Sequence, residues 1–332
     1  MVWGAGLCVI CTGPLPAELL EPLGNAQVIV PKPGTGLMGR DEVLAAAPHA
    51  DAIVNQAELR VDTELLDRAP RLQIVANVAR GFDNLDLTAM AARGVWATNI
   101  PDAFTAPTAE TALGLMLMSL RRLAEGERCV RAGEWSGFEP GRWDGFGLAG
   151  KTLGVVGFGK IGRAVAERAR AFGMEIVYHR RTPCAPNADF AARWLPLDDL
   201  LQVADIVSLH IPATPETYRL IDARALARMK PNAVLINTAR GSVVDEAALV
   251  AALRAGRIWG AGLDVAEDEP HVHPALRDLP NVVITPHLGG GTVESRVAAR
   301  VEAIANVAAV LRWERPLSPL VDLVTTAGDW RP

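Results

Sequence analysis

Residues 152–181 read TLGVVGFGKIGRAVAERARAFGMEIVYHRR. The opening Thr152–Val156 is a short apolar run of the kind that forms a buried strand. Gly157, Gly159 and Gly162 follow with the spacing G-x-G-x-x-G. Ile161, Val165, Ala169 and Phe172 then recur at helical spacing, and Gly173 is a natural stop. Met174–Tyr178 supplies a second strand. Strand, glycine turn, amphipathic helix and strand make a βαβ unit that binds a dinucleotide. Its glycines have separate tasks: Gly157 allows the tight turn, Gly159 the approach of backbone to a pyrophosphate, Gly162 close packing of helix on strand. The helix N-terminus offers free N–H groups and the positive end of its dipole to the phosphates.

The end of the second strand bears on which dinucleotide is held. An Asp or Glu there grips the ribose 2′-hydroxyl of NAD. This chain has His179, Arg180 and Arg181 instead. NADPH carries a phosphate at that hydroxyl; a carboxylate would repel it, and guanidinium groups hold it with charge-assisted hydrogen bonds. These residues predict NADPH preferred over NADH.

Working outward, 332 residues with 50% hydrophobic and 21% charged content suffice for two domains with cores of their own. A net charge of −5 without a block of like charge argues against nucleic acid or an anionic membrane as partner. The longest apolar stretch, ALGLMLM at 112–118, is too short to span a bilayer. The N-terminus lacks the basic segment and cleavage site of a signal peptide. Cys8 and Cys11 form a C-x-x-C, but within the apolar run LCVICTG, where cysteine packs as a small hydrophobe. No second pair completes a zinc site, so no metal is expected. With Cys129 and Cys184 they make four cysteines in no disulfide pattern, which suits the cytoplasm.

Apolar runs at 7–10, 27–30, 52–54, 73–76 and 95–97 read as strands, with helical segments such as 41–47 and 63–69 between them. A dense apolar helix is expected over 108–122, buried by its nearly continuous apolar surface, with a further helical piece to Gly133. The arm GEWSGFEPGRWDGFGLAG (133–150) follows. Strand–helix alternation restarts after Lys151 and runs to Ile284. Val293, Val297, Val301, Ile304, Val307 and Val310 predict a last helix over 292–312, packed back on the first unit. The expected fold is α/β with two doubly wound parallel-sheet domains, residues 1–100 with 290–332 and residues 101–289.

Three later segments each place a polar residue beyond an apolar strand, where ligands bind in open parallel sheets. AVLINTARG carries Arg240, WGAGLDVAEDEP carries Asp264 and Glu269, and NVVITPHLGGG carries His287. The motifs NTARGSVVDEAAL, GLDVAEDEP and TPHLGGGT, with VARGFDNLDL upstream, resemble those of the D-specific 2-hydroxyacid dehydrogenases, in that family's order. The likeness runs from about Asn77 to about Val310. GEW, KTLGVVGFGKIG and VYHRR are most similar to its NADPH-using glyoxylate/hydroxypyruvate or 2-ketogluconate reductases.

The resemblance implies a Rossmann cofactor domain inserted in a flavodoxin-like substrate domain, and reduction of small 2-keto acids to D-2-hydroxy acids. It implies His287 as proton donor, Glu269 as its partner and Arg240 as holder of the substrate carboxylate, roles that suit these side chains. Asp264 would sit near the nicotinamide carboxamide, and backbone N–H groups around Arg80 and Gly81 would cradle the carboxylate. Cofactor contacts are implied at Thr108, Gly157, Phe158, Gly159, Lys160, Ile161, Gly162, His179, Arg180, Arg181, His210, Pro212, Thr217, Thr238, Gly289 and Gly290. Arg80 departs from the pattern, which has an apolar residue there, and reads as either a surface side chain or, the favoured reading, an added anion contact in the substrate cleft. A homodimer is implied, with Trp143 either reaching across it or packing on its own subunit. Two alternatives stand. One is a dinucleotide-sensing co-repressor-type protein of the same fold. The other is a different dehydrogenase such as phosphoglycerate dehydrogenase, often extended at its C-terminus where this chain has only about twenty residues after the last helix.

Overall fold

Short runs of Val, Ile, Leu and Ala, buried along most of their length, form the inner strands, as an all-parallel sheet covered on both faces requires. The computed structural model describes residues 6–32, 34–56, 59–184 and 191–323. The first sheet is built from β1 (Cys8–Cys11), β2 (Gln27–Ile29), β3 (Ala52–Asn55), β4 (Ile74–Asn77) and β5 (Trp96–Thr98). Its order is β2-β1-β3-β4-β5, and every pairing is parallel. The second holds β6 (Thr152–Val156), β7 (Glu175–His179), β8 (Arg193–Trp194), β9 (Ile206–Leu209), β10 (Val234–Asn237), β11 (Gly260–Leu263) and β12 (Val282–Ile284). Its order is β12-β11-β10-β9-β6-β7-β8, again all parallel. The strand order reverses at β6, and a doubly wound sheet opens a crevice at such a reversal.

Two compact units result: the described residues up to Phe104 with those from Thr292 onward, and Thr105–Gly291. The first boundary lies at the start of the helix Thr105–Leu120, later than position 100, and the second follows the glycines at 289–291.

In the second unit, β6 alternates its neighbours. Leu153 and Val155 pack with Leu113, Met116 and Val165, whereas Val156 packs with Leu200, Leu226 and Leu249 on the opposite face. The helix Thr105–Leu120 begins before the expected position 108 and ends before 122, because Arg122 adopts a left-handed φ of 54° and opens the next helix, Leu123–Arg131. It lies so close to β11 that a Cβ on Gly262 would sit 2.9 Å from Leu115 Cβ. Among the described residues, no helix is long and apolar enough to cross a membrane.

In the first unit, the helix Val293–Leu311 covers one face of the sheet, with Ile304, Val307 and Val310 against Val9, Val54 and Trp96. Its first half differs from expectation. Val293, Val297 and Val301 are exposed, and Ser295, Ala299 and Ala303 are buried instead. The two rows differ by two positions, about 200° around a helix. Small residues on the inner row let the helix approach the sheet. Cys8 and Cys11 are buried in β1, and burial pushes the Cys11 thiol up to about 12.

Asn306 is fully buried on this helix and ties down the segment after it. Its Oδ1 accepts from Leu317 N at 2.8 Å and Ser318 N at 3.1 Å, and its Nδ2 donates to Glu302 O at 2.9 Å. Asn306→Leu leaves those donors without a partner and is expected to lower stability by about 1–3 kcal/mol. Urea unfolding should show a lower midpoint at unchanged slope.

Candidate active site

The site begins at the turn after β6. Gly157 has φ 95°, and a Cβ there would collide with the carbonyl of His210. At Gly162 a Cβ would collide with the carbonyl of Gly157. Those two glycines are therefore demanded by the protein's own backbone. Gly159 is different: a Cβ there would meet nothing within 4 Å. It precedes the helix Lys160–Ala171, whose first turn of N–H groups has no acceptor within the helix itself. Such a cradle fits a pyrophosphate. Lys160 is exposed beside it, Ile161 is half-buried, and the Phe158 side chain is buried and stacked on Tyr178 at 4.2 Å, which leaves its main chain for the turn.

At the end of β7 the His179 ring nitrogen Nδ1 lies 3.0 Å from the Leu195 carbonyl. Arg180 and Arg181 are exposed. The Arg180 carbonyl accepts from Trp194 Nε1 at 3.0 Å, and its guanidinium donates to Cys184 Sγ at 3.1 Å. After β9, His210 Nε2 is 2.8 Å from Ser208 Oγ. Burial pushes its imidazole down to about 3, so the ring is neutral. Thr217 Oγ1 donates to the Pro212 carbonyl at 2.7 Å and closes the following turn.

Asn237 ends β10 and shapes the loop that carries Arg240. Its Oδ1 accepts from Ala239 N at 3.0 Å and its Nδ2 donates to the Arg240 carbonyl at 2.9 Å. Thr238 Oγ1 is buried there with no hydrogen-bond partner among the described residues. Gly241, the residue after Arg240, lies against the Ala266 carbonyl, where any Cβ would collide. This contact sets the Arg240 loop beside the loop of Glu269.

Asp264 follows β11 and is 1% exposed. Its carboxylate accepts from Thr285 Oγ1 at 2.6 Å, Leu288 N at 2.9 Å and Gly289 N at 2.7 Å, and its carbonyl accepts from His287 N at 2.9 Å. Gly289 O in turn accepts from Thr111 Oγ1 at 3.2 Å, and the Thr108 methyl carbon borders the same glycine. Held this way, His287 takes a left-handed φ of 50° and sets Nδ1 2.7 Å from Glu269 Oε2. Glu269 Oε1 accepts from Ala266 N at 3.1 Å.

A carboxylate can only accept, so Nδ1 of His287 carries the proton and Nε2 is left to a ligand. The hydrogen bond to Glu269 raises the His287 pKa above the ordinary imidazole range, against burial and the charge of Arg240. Burial by itself would raise Glu269, yet the bond from His287 and the nearby Arg240 charge bring it below the usual carboxylate range. Arg240 acts electrostatically on both, so the three groups share one locale in the second unit.

A protein-family model, the D-isomer specific 2-hydroxyacid dehydrogenase NAD binding domain, matches residues 113–289. The chain belongs to the D-isomer specific 2-hydroxyacid dehydrogenase family. It is similar to the glyoxylate reductase of Thermococcus litoralis, 44% identical over 83% of this chain and 85% of that one. Among solved structures, a Thermus thermophilus protein superposes with TM-score 0.89 at 42% identity, over 95% of this chain and 100% of that one. The NADPH-dependent glyoxylate/hydroxypyruvate reductase of Sinorhizobium meliloti, in complex with NADP and malonate, gives TM-score 0.84 at 35% identity over 96% and 98%. The chain is therefore an NAD(P)-dependent dehydrogenase with a nicotinamide dinucleotide as cofactor.

In this dehydrogenase the structure assembles Arg240, Glu269 and His287, and it gives Asp264 a bracing task that its motif did not announce. Arg80 and Gly81 belong to the other unit. There the Arg80 guanidinium donates to the Pro101 carbonyl, its own carbonyl accepts from Asn99 Nδ2 at 2.7 Å, and Asn77 Nδ2 donates to Gly81 O at 2.7 Å. Burial lowers the Arg80 pKa, and Asp102 opposes the shift. Trp143 lies under its own chain's Arg142 and Arg122, with guanidinium carbons 4.7 Å and 5.6 Å from its ring centre. Sequence reasoning passed over Asn237 and Thr285. An Asn at a strand end is a local turn signal that could have marked the first; Thr285 acts only through its distant partner.

The pair makes a pH prediction. A raised His287 pKa carries the imidazolium to higher pH than an ordinary histidine, so a reduction that needs its proton slows as pH rises through that raised value. Glu269→Gln removes the carboxylate and should move the limb to lower pH. A titration of His287 by proton NMR should show the same downward displacement.

Proposed function

We propose that this dehydrogenase reduces small 2-keto acids, such as glyoxylate or hydroxypyruvate, to D-2-hydroxy acids, with NADPH preferred over NADH. The observation that carries the reading is the 2.7 Å His287–Glu269 pair with Arg240 beside it, in a chain 44% identical to a glyoxylate reductase. NADPH would supply the hydride. Gly159, the N–H groups from Lys160 onward and Thr238 would hold it, with Arg180 and Arg181 at its 2′-phosphate.

The guanidinium of Arg240 binds the substrate carboxylate and draws electron density toward the carbonyl oxygen. His287 gives a proton from Nε2 to that oxygen as hydride reaches carbon, and Glu269 stabilises the imidazolium beforehand. In the reverse direction, neutral His287 takes the hydroxyl proton. Asp264 keeps the His287 loop in place. The carboxylate contact read for Arg80 and Gly81 is part of the same proposal. So is a homodimer, supported by the arm after Gly133, where Trp135 and Phe138 are 60% and 90% exposed.

The test is oxidation of NADPH in the presence of glyoxylate and hydroxypyruvate. Turnover is expected, and His287→Ala should lower kcat/KM by about 10²–10⁴-fold while NADPH still binds. Tight dinucleotide binding without turnover on any 2-keto acid would favour a sensing protein of this fold. For the cofactor, replacing both Arg180 and Arg181 by Ala should lower kcat/KM with NADPH by about 10- to 100-fold, the loss of charge-assisted hydrogen bonds to phosphate. The value with NADH should hold.

A further inference from the structure

Cys184 has surroundings unlike those of the three buried cysteines. Its Sγ accepts from Arg180 Nη1 at 3.1 Å and from Arg163 Nη2 at 3.1 Å. Its main-chain N donates to Tyr178 Oη at 3.1 Å. Tyr178 stacks on Phe158 of the glycine turn, and the Arg163 guanidinium lies 5.1 Å from the centre of the Phe158 ring. Arg163, Phe158, Tyr178 and Cys184 thus close a ring of contacts that joins the first turn of the helix Lys160–Ala171 to the end of β7.

Two guanidinium groups from separate elements meet at one sulfur atom. Like charges so close repel unless an anion or a polarisable acceptor lies between them. Burial raises the Cys184 pKa, but the net shift is downward, under the hydrogen bond from Arg180 and the charges of Arg163 and Arg180. The sulfur therefore marks a point where the fold concentrates positive potential, beside the strand end that faces the adenosine ribose in this fold. Arg163 stands one residue past the last glycine of the G-x-G-x-x-G and reads in sequence as one more polar residue of a helix.

We propose that Arg163 is a specificity-determining residue, a cation that acts with Arg180 on the 2′-phosphate of NADPH, and that Cys184 positions both guanidiniums for it. The inference rests on the NADPH preference proposed above. With the cofactor bound, the phosphate oxygens take guanidinium hydrogen bonds that the sulfur accepts in the free protein. A phosphate can take paired bonds from each planar fork, which one sulfur cannot. NADH has no group there, so it leaves the two cations on Cys184.

The full-length protein is titrated with NADPH, NADH, adenosine 2′,5′-bisphosphate and 5′-AMP. The variants are Arg163→Gln, Arg163→Lys, Arg180→Gln, Cys184→Ala and Cys184→Ser. Arg163→Gln should weaken NADPH and the bisphosphate by about 10- to 100-fold and leave NADH and 5′-AMP unchanged. Arg163→Lys should recover part of that loss. Cys184→Ala should raise the KM for NADPH with kcat at saturation unchanged, and Cys184→Ser, which keeps an acceptor, should restore it. Loss of preference in Arg180→Gln with full preference kept in Arg163→Gln would overturn this inference and leave the NADPH reading standing. A native chain that favours NADH would overturn both. Equal weakening of all four ligands in Arg163→Gln would assign Arg163 to the fold alone, and unchanged KM in Cys184→Ala would remove Cys184 from the proposal.

Discussion

The carboxylate of Asp264 is the constraint on which the second unit's chemistry depends. It is 1% exposed and accepts from Thr285, Leu288 and Gly289. A buried carboxylate is tolerated only when such donors surround it. The geometry also works in reverse: three donors converging on one buried group over-determine the loop they belong to. His287 can then be kept at φ 50°, a conformation that a residue with a Cβ seldom adopts unless its surroundings impose it. The imidazole therefore points at Glu269 because a neighbouring strand end holds the backbone, and because the loop has little freedom to do otherwise.

A second constraint is close backbone approach. Gly157 against His210, Gly162 against Gly157, Gly241 against Ala266 and Gly262 against Leu115 are places where the chain has no room for a methyl group. Each joins two elements of the same unit: turn to strand end, helix to turn, one site loop to the other, helix to sheet. Gly159 stands apart because nothing of the protein occupies its side-chain direction. The glycines of one motif thus divide into two that the fold itself needs and one whose open side suits a ligand.

Electrostatics then set the states of the groups. His210 is kept neutral by burial, His287 is biased toward its charged form by Glu269, and Glu269 is held ionised by its partner despite burial. Arg240 opposes the charging of His287 while it favours that of Glu269. Proton transfer needs this balance: an imidazolium stable enough to form and not so stable that it withholds its proton.

Much of this was legible in the order of residues. Short apolar runs, the period-3.6 pattern of the helices, the glycine spacing and the strand-end positions of Arg240, Asp264 and His287 depend on local chain geometry, so sequence carries them directly. The parallel order of both sheets and the family followed from them. Less legible was the last helix, where Val293, Val297 and Val301 look like a core row but the small residues Ser295, Ala299 and Ala303 are the buried ones. Which row turns inward depends on what the helix packs against, far away in the chain. The same holds for Asp264 bracing residues 285–289 and for Arg163 meeting Arg180 at Cys184. Local residue order sets the elements and the chemical types at their ends. Tertiary structure alone decided which of those side chains meet, because hydrogen bonds of 2.6–3.1 Å between residues some twenty positions apart are set by the packing of strands and helices and by no local preference.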